Sequence, residues 1–241
     1  MKCFALLCVL VLVSCSDMKI GHGDDADGVA GNVKLVKTLD WVMDESKDYF
    51  VYDEHNRVVG LTQSGYSYGT SGETGREWSK SFTFSYTEDK LEIYAEQYLQ
   101  FYFEFHKGSI TSDEGHAYQF DVNDRLSEEG DYLFRWDTSG NIHTISDSYD
   151  EREYKYSYTS IEDKTNVSIY GGKEVPHSFK FNRDKNVFGG FYSRNLISKI
   201  EWPDGTSWTY EYRLDDDGYV TEMICRCEDY IEYRLFVEYY E

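Results

Sequence analysis

The chain has 241 residues, and its 45 acids outweigh 24 lysines and arginines for a formal charge of −21. That surplus repels phosphate backbones, whose affinity for proteins rests on cationic contacts, so a nucleic-acid partner is excluded. Aromatics reach 17 %, with 23 tyrosines and only two prolines, Pro176 and Pro203, a composition that favours strands over helices.

The first element is Met1 to Ser14. One cation, Lys2, precedes an apolar run too short to span a bilayer, which needs ~20 apolar residues; this is the pattern of a secretory signal. Its end, Leu12-Val13-Ser14-Cys15, resembles the lipobox of bacterial lipoproteins. The resemblance implies cleavage before Cys15 and diacylglyceryl attachment to its thiol, with two or three acyl chains giving stable anchoring. Removing residues 1–14 takes away Lys2 and no acid, so −21 becomes −22. Ser16, where inner-membrane lipoproteins carry Asp, points to outer-membrane delivery, and Asp17 alone does not decide between the periplasmic and external faces.

Residues 15–32 read as a lipidated, flexible tether. Gly21, Gly23, Gly28 and Gly31 alternate with Asp24, Asp25 and Asp27 and no hydrophobic period runs through them, giving an r.m.s. reach of ~20–25 Å. Asp25-Ala26-Asp27-Gly28 superficially matches a calcium loop. With Gly28 as the loop glycine, however, Gly23 and Lys34 fall at the first and last ligand positions, and both are wrong. Asp215-Asp216-Asp217-Gly218 fails the same test, with Arg213 and Ile224 at those positions, and reads as a turn.

From residue 33 to 241 the chain reads as a single antiparallel β domain. Aromatics at every second residue lead into an Asp-rich or Gly/Asn turn and then a short aliphatic segment. The units are Phe50 to Val59, Phe82 to Leu91, Tyr118 to Leu126, Tyr132 to Ile142 and Tyr154 to Tyr158, with weaker copies at Phe179 to Val187 and Trp208 to Val220. Alternation bounded by Asp, Asn and Gly is a strand–turn–strand signature, so these units predict about fourteen strands joined as hairpins. The spacing is too irregular for a solenoid. It suits a meander forming a strongly curled or barrel-like sheet, with its longest loops at Ser64 to Gly75 and Lys185 to Arg194. Leu99, Phe101, Phe103 and Phe105 alternate with Tyr98, Gln100, Tyr102 and Glu104, which is strand spacing rather than a helix.

Three patterns carry a family likeness: Tyr52-Asp53 with Arg57-Val58, Phe120-Asp121 with Arg125-Leu126, and Trp136-Asp137 with Gly140-Asn141-Ile142. They resemble the YD repeats of RHS-type proteins. They resemble more closely a family of Bacteroidetes outer-membrane lipoproteins, a domain of unknown function with a porin-like β-fold. The departures are Tyr86-Thr87, Tyr158-Thr159 and Tyr212-Arg213. The resemblance implies a curled antiparallel sheet and supplies no activity or catalytic residue.

Alternation alone does not say which face looks inward. The short strands, the Tyr and Phe faces and a lipid that a spanning barrel would not need favour a soluble, tethered domain over a membrane-spanning one.

The chemistry-bearing residues stay scattered. His22, His55, His106, His116, His143 and His177 form no metal-binding pair. The weak candidate is His106 with His116 across the Lys107 to Gly115 loop, joined by Asp113 or Glu114. No metal, cofactor, nucleophile motif or phosphate loop is expected. Glu128-Glu129 and Asp150-Glu151 are pairs that 45 acids produce by chance. Cys225 and Cys227, at i, i+2 on one strand face, are too close for an unstrained bridge. Trp202-Pro203-Asp204-Gly205-Thr206-Ser207-Trp208 reads as a hairpin turn whose tryptophans either close the core or offer a stacking contact to a glycan. The expected function is a non-enzymatic envelope lipoprotein that binds a ligand or protein partner or serves as a scaffold. The alternative is a glycan-acting hydrolase or glycan-binding protein of the outer membrane.

Overall fold

The computed structural model describes residues 33–67, 75–170, 185 and 192–241. The signal, Cys15, the tether and most of the weak copy at 179–187 lie outside the described residues.

Sixteen strands are present among the described residues: β1 Val36–Trp41, β2 Ser46–Tyr52, β3 Val58–Ser67, β4 Arg76–Tyr86, β5 Lys90–Ala95, β6 Tyr98–His106, β7 Ser109–Ser112, β8 Ala117–Phe120, β9 Leu126–Glu129, β10 Tyr132–Trp136, β11 Ile142–Asp147, β12 Arg152–Glu162, β13 Asn195–Glu201, β14 Ser207–Leu214, β15 Val220–Cys227 and β16 Tyr230–Tyr239. Each pairs antiparallel with its sequence neighbours, and β1 pairs with β16, closing a barrel. The expected meander is therefore a closed one. The count exceeds the expected fourteen because β1, β6, β7, β13 and β16 lie outside the repeat units. Ser109–Ser112 is a four-residue strand inside what reads as the Lys107 to Gly115 loop, and the Glu96-Gln97 turn divides β5 from β6.

The alternation decides the faces. Phe82 and Phe84 of β4, Tyr154 and Tyr156 of β12, and Tyr233, Leu235 and Val237 of β16 are buried. Thr83, Ser85, Lys155, Ser157, Glu232 and Glu238 between or beside them are exposed. Inward residues join one apolar cluster, each large side chain contributing ~1.5–3 kcal/mol on burial. Sixteen strands about 4.8 Å apart would enclose a wide lumen if the barrel were round. Leu91, Ile93, Ile110, Leu126 and Ile145 are all 0 % exposed, so the barrel is collapsed onto its own side chains rather than held open.

The long connection from β12 to β13 adds to this filling. Residues 165–170 are buried throughout. Asn166 Oδ1 accepts the Val36 N–H at 2.8 Å, and the Tyr170 hydroxyl lies 3.0 Å from that of Tyr212. The segment thus ties β1 to β14 across the barrel end.

Candidate functional site

The two ends of the barrel are built from different turns. At one end four turns repeat a single design, begun by Asp53, Asp121, Asp137 and Asp215. In each, the Asp Oδ1 accepts the N–H groups two and four residues on. For Asp53 these are His55 and Arg57, both at 2.9 Å; for Asp121, Asn123 at 2.8 Å and Arg125 at 3.0 Å. Asp137 and Asp215 do the same. The residue three on is left-handed: Asn56, Asp124, Gly140 or Gly218. Asn, Asp and Gly tolerate that conformation, and the Asp side chain mimics a backbone turn.

Each of these turns sits beside a register shift, at Val51/Tyr52, Gln119/Phe120, Arg135/Trp136 and Arg213/Leu214. A bulge disrupts the ladder and leaves a carbonyl needing another donor. The next unit's aromatic provides it. Tyr86 Oη donates to the Val58 carbonyl at 2.8 Å, Trp136 Nε1 to Leu126 at 2.7 Å and Tyr239 Oη to Val220 at 2.9 Å. All three acceptors lie five residues after the turn Asp. Tyr52 reaches Val36 and Tyr212 reaches Ile197 in the same manner. The aromatics singled out by spacing are thus inter-unit hydrogen-bond donors as well as core residues, a role that the sequence does not display.

This Asp-turn end also holds a cavity of about 40 Å³ between β11, β12, β13 and residues 163–170, bounded by Ile145, Tyr156, Tyr158, Tyr170, Tyr192 and Ser193. That is room for a water or two. The Tyr158 hydroxyl bonds Ser193 Oγ at 2.7 Å. Burial pushes the Tyr158, Tyr170 and Tyr212 hydroxyls up from their ordinary values. They are neutral structural donors and offer no base. Lys185 Nζ pairs with Asp163 at 2.6 Å, both largely buried. Lys34, just before β1, pairs with Asp215 and Asp217, each at 2.7 Å.

The opposite end, formed by the tight turns, carries four of the five tryptophans. Trp41 Nε1 donates to Asp48 Oδ2 at 3.1 Å, and Gln63 Nε2 donates to Asp48 Oδ1 at 2.8 Å. Trp202 and Trp208 flank the expected hairpin turn, closed by the Trp202 N–H to the Thr206 carbonyl. Their rings lie 5.5 Å apart, and Trp202 meets Tyr154 at 5.3 Å. Both are half-buried against the core, and their mutual packing uses part of the surface that a sugar would need. Trp78 projects from β4 and is 41 % exposed.

One row across this rim joins titratable groups. Tyr118, Glu129, Tyr132, Asp147 and Arg152 are successive cross-strand partners from β8 to β12. Burial pushes the Glu129 carboxyl up to about 7, against a smaller opposing effect of its hydrogen bond with Tyr118. Asp147 is held below the usual carboxylate range, chiefly by the Asp150 N–H and also by that of Tyr149. Two carboxyls with values pushed apart are what acid–base chemistry requires. Glu129, however, is only 8 % exposed, so a substrate would have to displace core residues to touch it. Sequence reasoning placed Glu129 only in a chance pair.

His106 and His116 are not brought together. His106 ends β6 at the Asp-turn end, and His116 precedes β8 at the other, its Nε2 3.5 Å from Glu114. No group of three or more His, Cys, Asp or Glu side chains suited to a metal occurs among the described residues. Cys225 is buried in the core and Cys227 half-buried, both as thiols.

The architecture has solved counterparts. A porin-like protein from Bacteroides uniformis superposes with a TM-score of 0.61 at 16 % identity, over 86 % of this chain and 96 % of that one. A porin-like protein from Bacteroides vulgatus covers 86 % of this chain and 99 % of its own at 14 % identity, with a TM-score of 0.42. The first likeness shows the fold. No family model and no curated protein matches the sequence.

Proposed function

We propose that this chain is a lipid-anchored, water-exposed β-barrel of the outer membrane that binds a ligand or partner and performs no chemistry. The carrying observation is the orientation of its faces: apolar side chains point inward, while the outer face presents Thr83, Ser85, Lys155, Glu211 and Glu232. A transmembrane barrel needs the reverse, an apolar band facing lipid around a polar lumen. The porin-like name of the B. uniformis neighbour supports an envelope location, and the inverted polarity argues against a pore.

In this reading Cys15 carries the lipid and residues 15–32 the tether. Lys34 fixes the start of the domain at the Asp-turn end, so the tryptophan-bearing rim is the end free to meet a partner. Cys15→Ala tests the anchor. The wild-type protein is expected in the membrane fraction, extracted by mild detergent, and the variant in the soluble fraction. A variant still resisting high-pH extraction would overturn the proposal, because a protein held without lipid must be held by its strands.

A further inference from the structure

We propose that the β3–β4 hairpin carries a binding site for an anionic saccharide, formed by Arg76, Trp78 and Lys80. This deepens the binding role proposed above.

The hairpin projects beyond the wall of the barrel. β4 pairs with β3 from Ser67↔Arg76 to Gly60↔Thr83. On its other side it pairs with β5 only from Phe82↔Ala95 onward. Residues 76–81 therefore form an arm past the rim, and all six are exposed. Arg76, Trp78 and Lys80 share the strand face that continues, at Phe82 and Phe84, into the core. On a strand they stand ~6.8 Å apart from one to the next.

Trp78 is held in place. It lies opposite Gly65 on β3, and a Cβ at Gly65 would sit 2.9 Å from Trp78 Cζ2 and 3.0 Å from Cε2. The indole rests on the glycine backbone, which only glycine permits at that distance. β3 lies against one side of the ring, and the residue stays 41 % exposed. A rigid, exposed indole is a platform for the C–H face of a pyranose and loses little entropy on binding.

The flanking charges give the sign of the ligand. In a chain of net charge −21, two cations sit either side of this ring. Among the described residues neither Arg76 nor Lys80 forms an ion pair, whereas Lys34, Lys47, Arg57, Arg125 and Arg234 all do. Lys80 Nζ lies 4.9 Å from the Phe82 ring centre, which leaves its donors available. Carboxylates or sulfates on sugars either side of the stacked ring would meet these two cations.

An acidic peptide adding to the open edge of β4 is less well matched. Trp78 leans toward β3, away from that edge, and would contribute nothing to such a strand.

The test is calorimetric titration of the 33–241 domain within the full-length, detergent-solubilised protein, using trigalacturonate, neutral galactotriose and penta-aspartate. The expected result is saturable trigalacturonate binding that is at least about tenfold tighter than either comparison ligand, which corresponds to ~1.4 kcal/mol. It should weaken with salt and fall about tenfold in both Trp78→Ala and the Arg76→Glu/Lys80→Glu double variant. Melting curves check that both variants fold, and Gly65→Ala, which lifts the indole, should reproduce the loss. The proposal is overturned by no saturable binding of trigalacturonate, by binding that survives Trp78→Ala, or by equal binding of penta-aspartate, which would indicate the edge instead. None of these outcomes bears on the Cys15→Ala result, so the failure of one reading leaves the other standing.

Discussion

Replacing Glu129 by Gln should stabilise the protein, and by more at high pH than at low. The folded carboxyl titrates at about 7 against 4.5 in the unfolded chain. A raised folded value means that the native state holds its proton where the unfolded state has released it. The neutral carboxyl's contribution is fully present below pH 4.5 and is lost as pH rises through 7. Linkage gives a destabilisation of about 1 kcal/mol at pH 5.5 and about 3 kcal/mol at pH 8.5. Glutamine is nearly isosteric, stays neutral and still accepts from Tyr118, so Glu129→Gln should recover most of both figures. Urea unfolding at the two pH values reads this directly. The variant's advantage should grow by about 2 kcal/mol between them. A difference that is flat with pH would mean that Glu129 is solvated or paired in the folded state, and the burial argument would be wrong.

Asp121→Ala removes an acceptor from two backbone N–H groups and from the Arg125 guanidinium; about 2 kcal/mol should be lost, or ~4–8 °C in melting temperature. Tyr86→Phe leaves the core intact but removes the hydroxyl's bond to the Val58 carbonyl, so a loss of about 1 kcal/mol is expected; no change would show that the hydroxyl bond is worth nothing beyond a bond to water. Glu228, left-handed in the β15–β16 turn, should gain about 1 kcal/mol on replacement by Gly, measured by denaturant midpoint.

The fold was legible where the polypeptide signals locally. Phe82-Thr83-Phe84-Ser85 and Tyr154-Lys155-Tyr156-Ser157 announce strands, and Asp121 to Arg125 announces its turn, because two-residue alternation and the side chain of Asp are short-range properties. Closure was not legible, since the pairing of Val36 with Tyr239 depends on no local pattern. Ser109–Ser112 reads as a loop because a four-residue strand carries too little alternation. The burial of 165–170 was hidden for the opposite reason: Thr-Asn-Val-Ser reads as polar loop, and its polar atoms are satisfied only by partners remote in sequence. The site residues divide in the same way. Trp202 and Trp208 stand out by composition yet pack on each other. Trp78 is exposed through the unequal lengths of β4 and β5, which only the pairing register reveals.

The seam between β1 and β16 sets a constraint on biogenesis. The Tyr240 N–H donates to the Leu35 carbonyl at 2.9 Å, and the strands alongside are the first and last of the barrel. As the chain emerges, β1 appears roughly two hundred residues before its partner, at the far end of a long loop closure. Throughout that interval β1 offers an unpaired edge to any passing strand. A chain built this way gains from a holding chaperone in the compartment where it folds. Truncations that remove only the last ten residues should aggregate rather than merely lose stability.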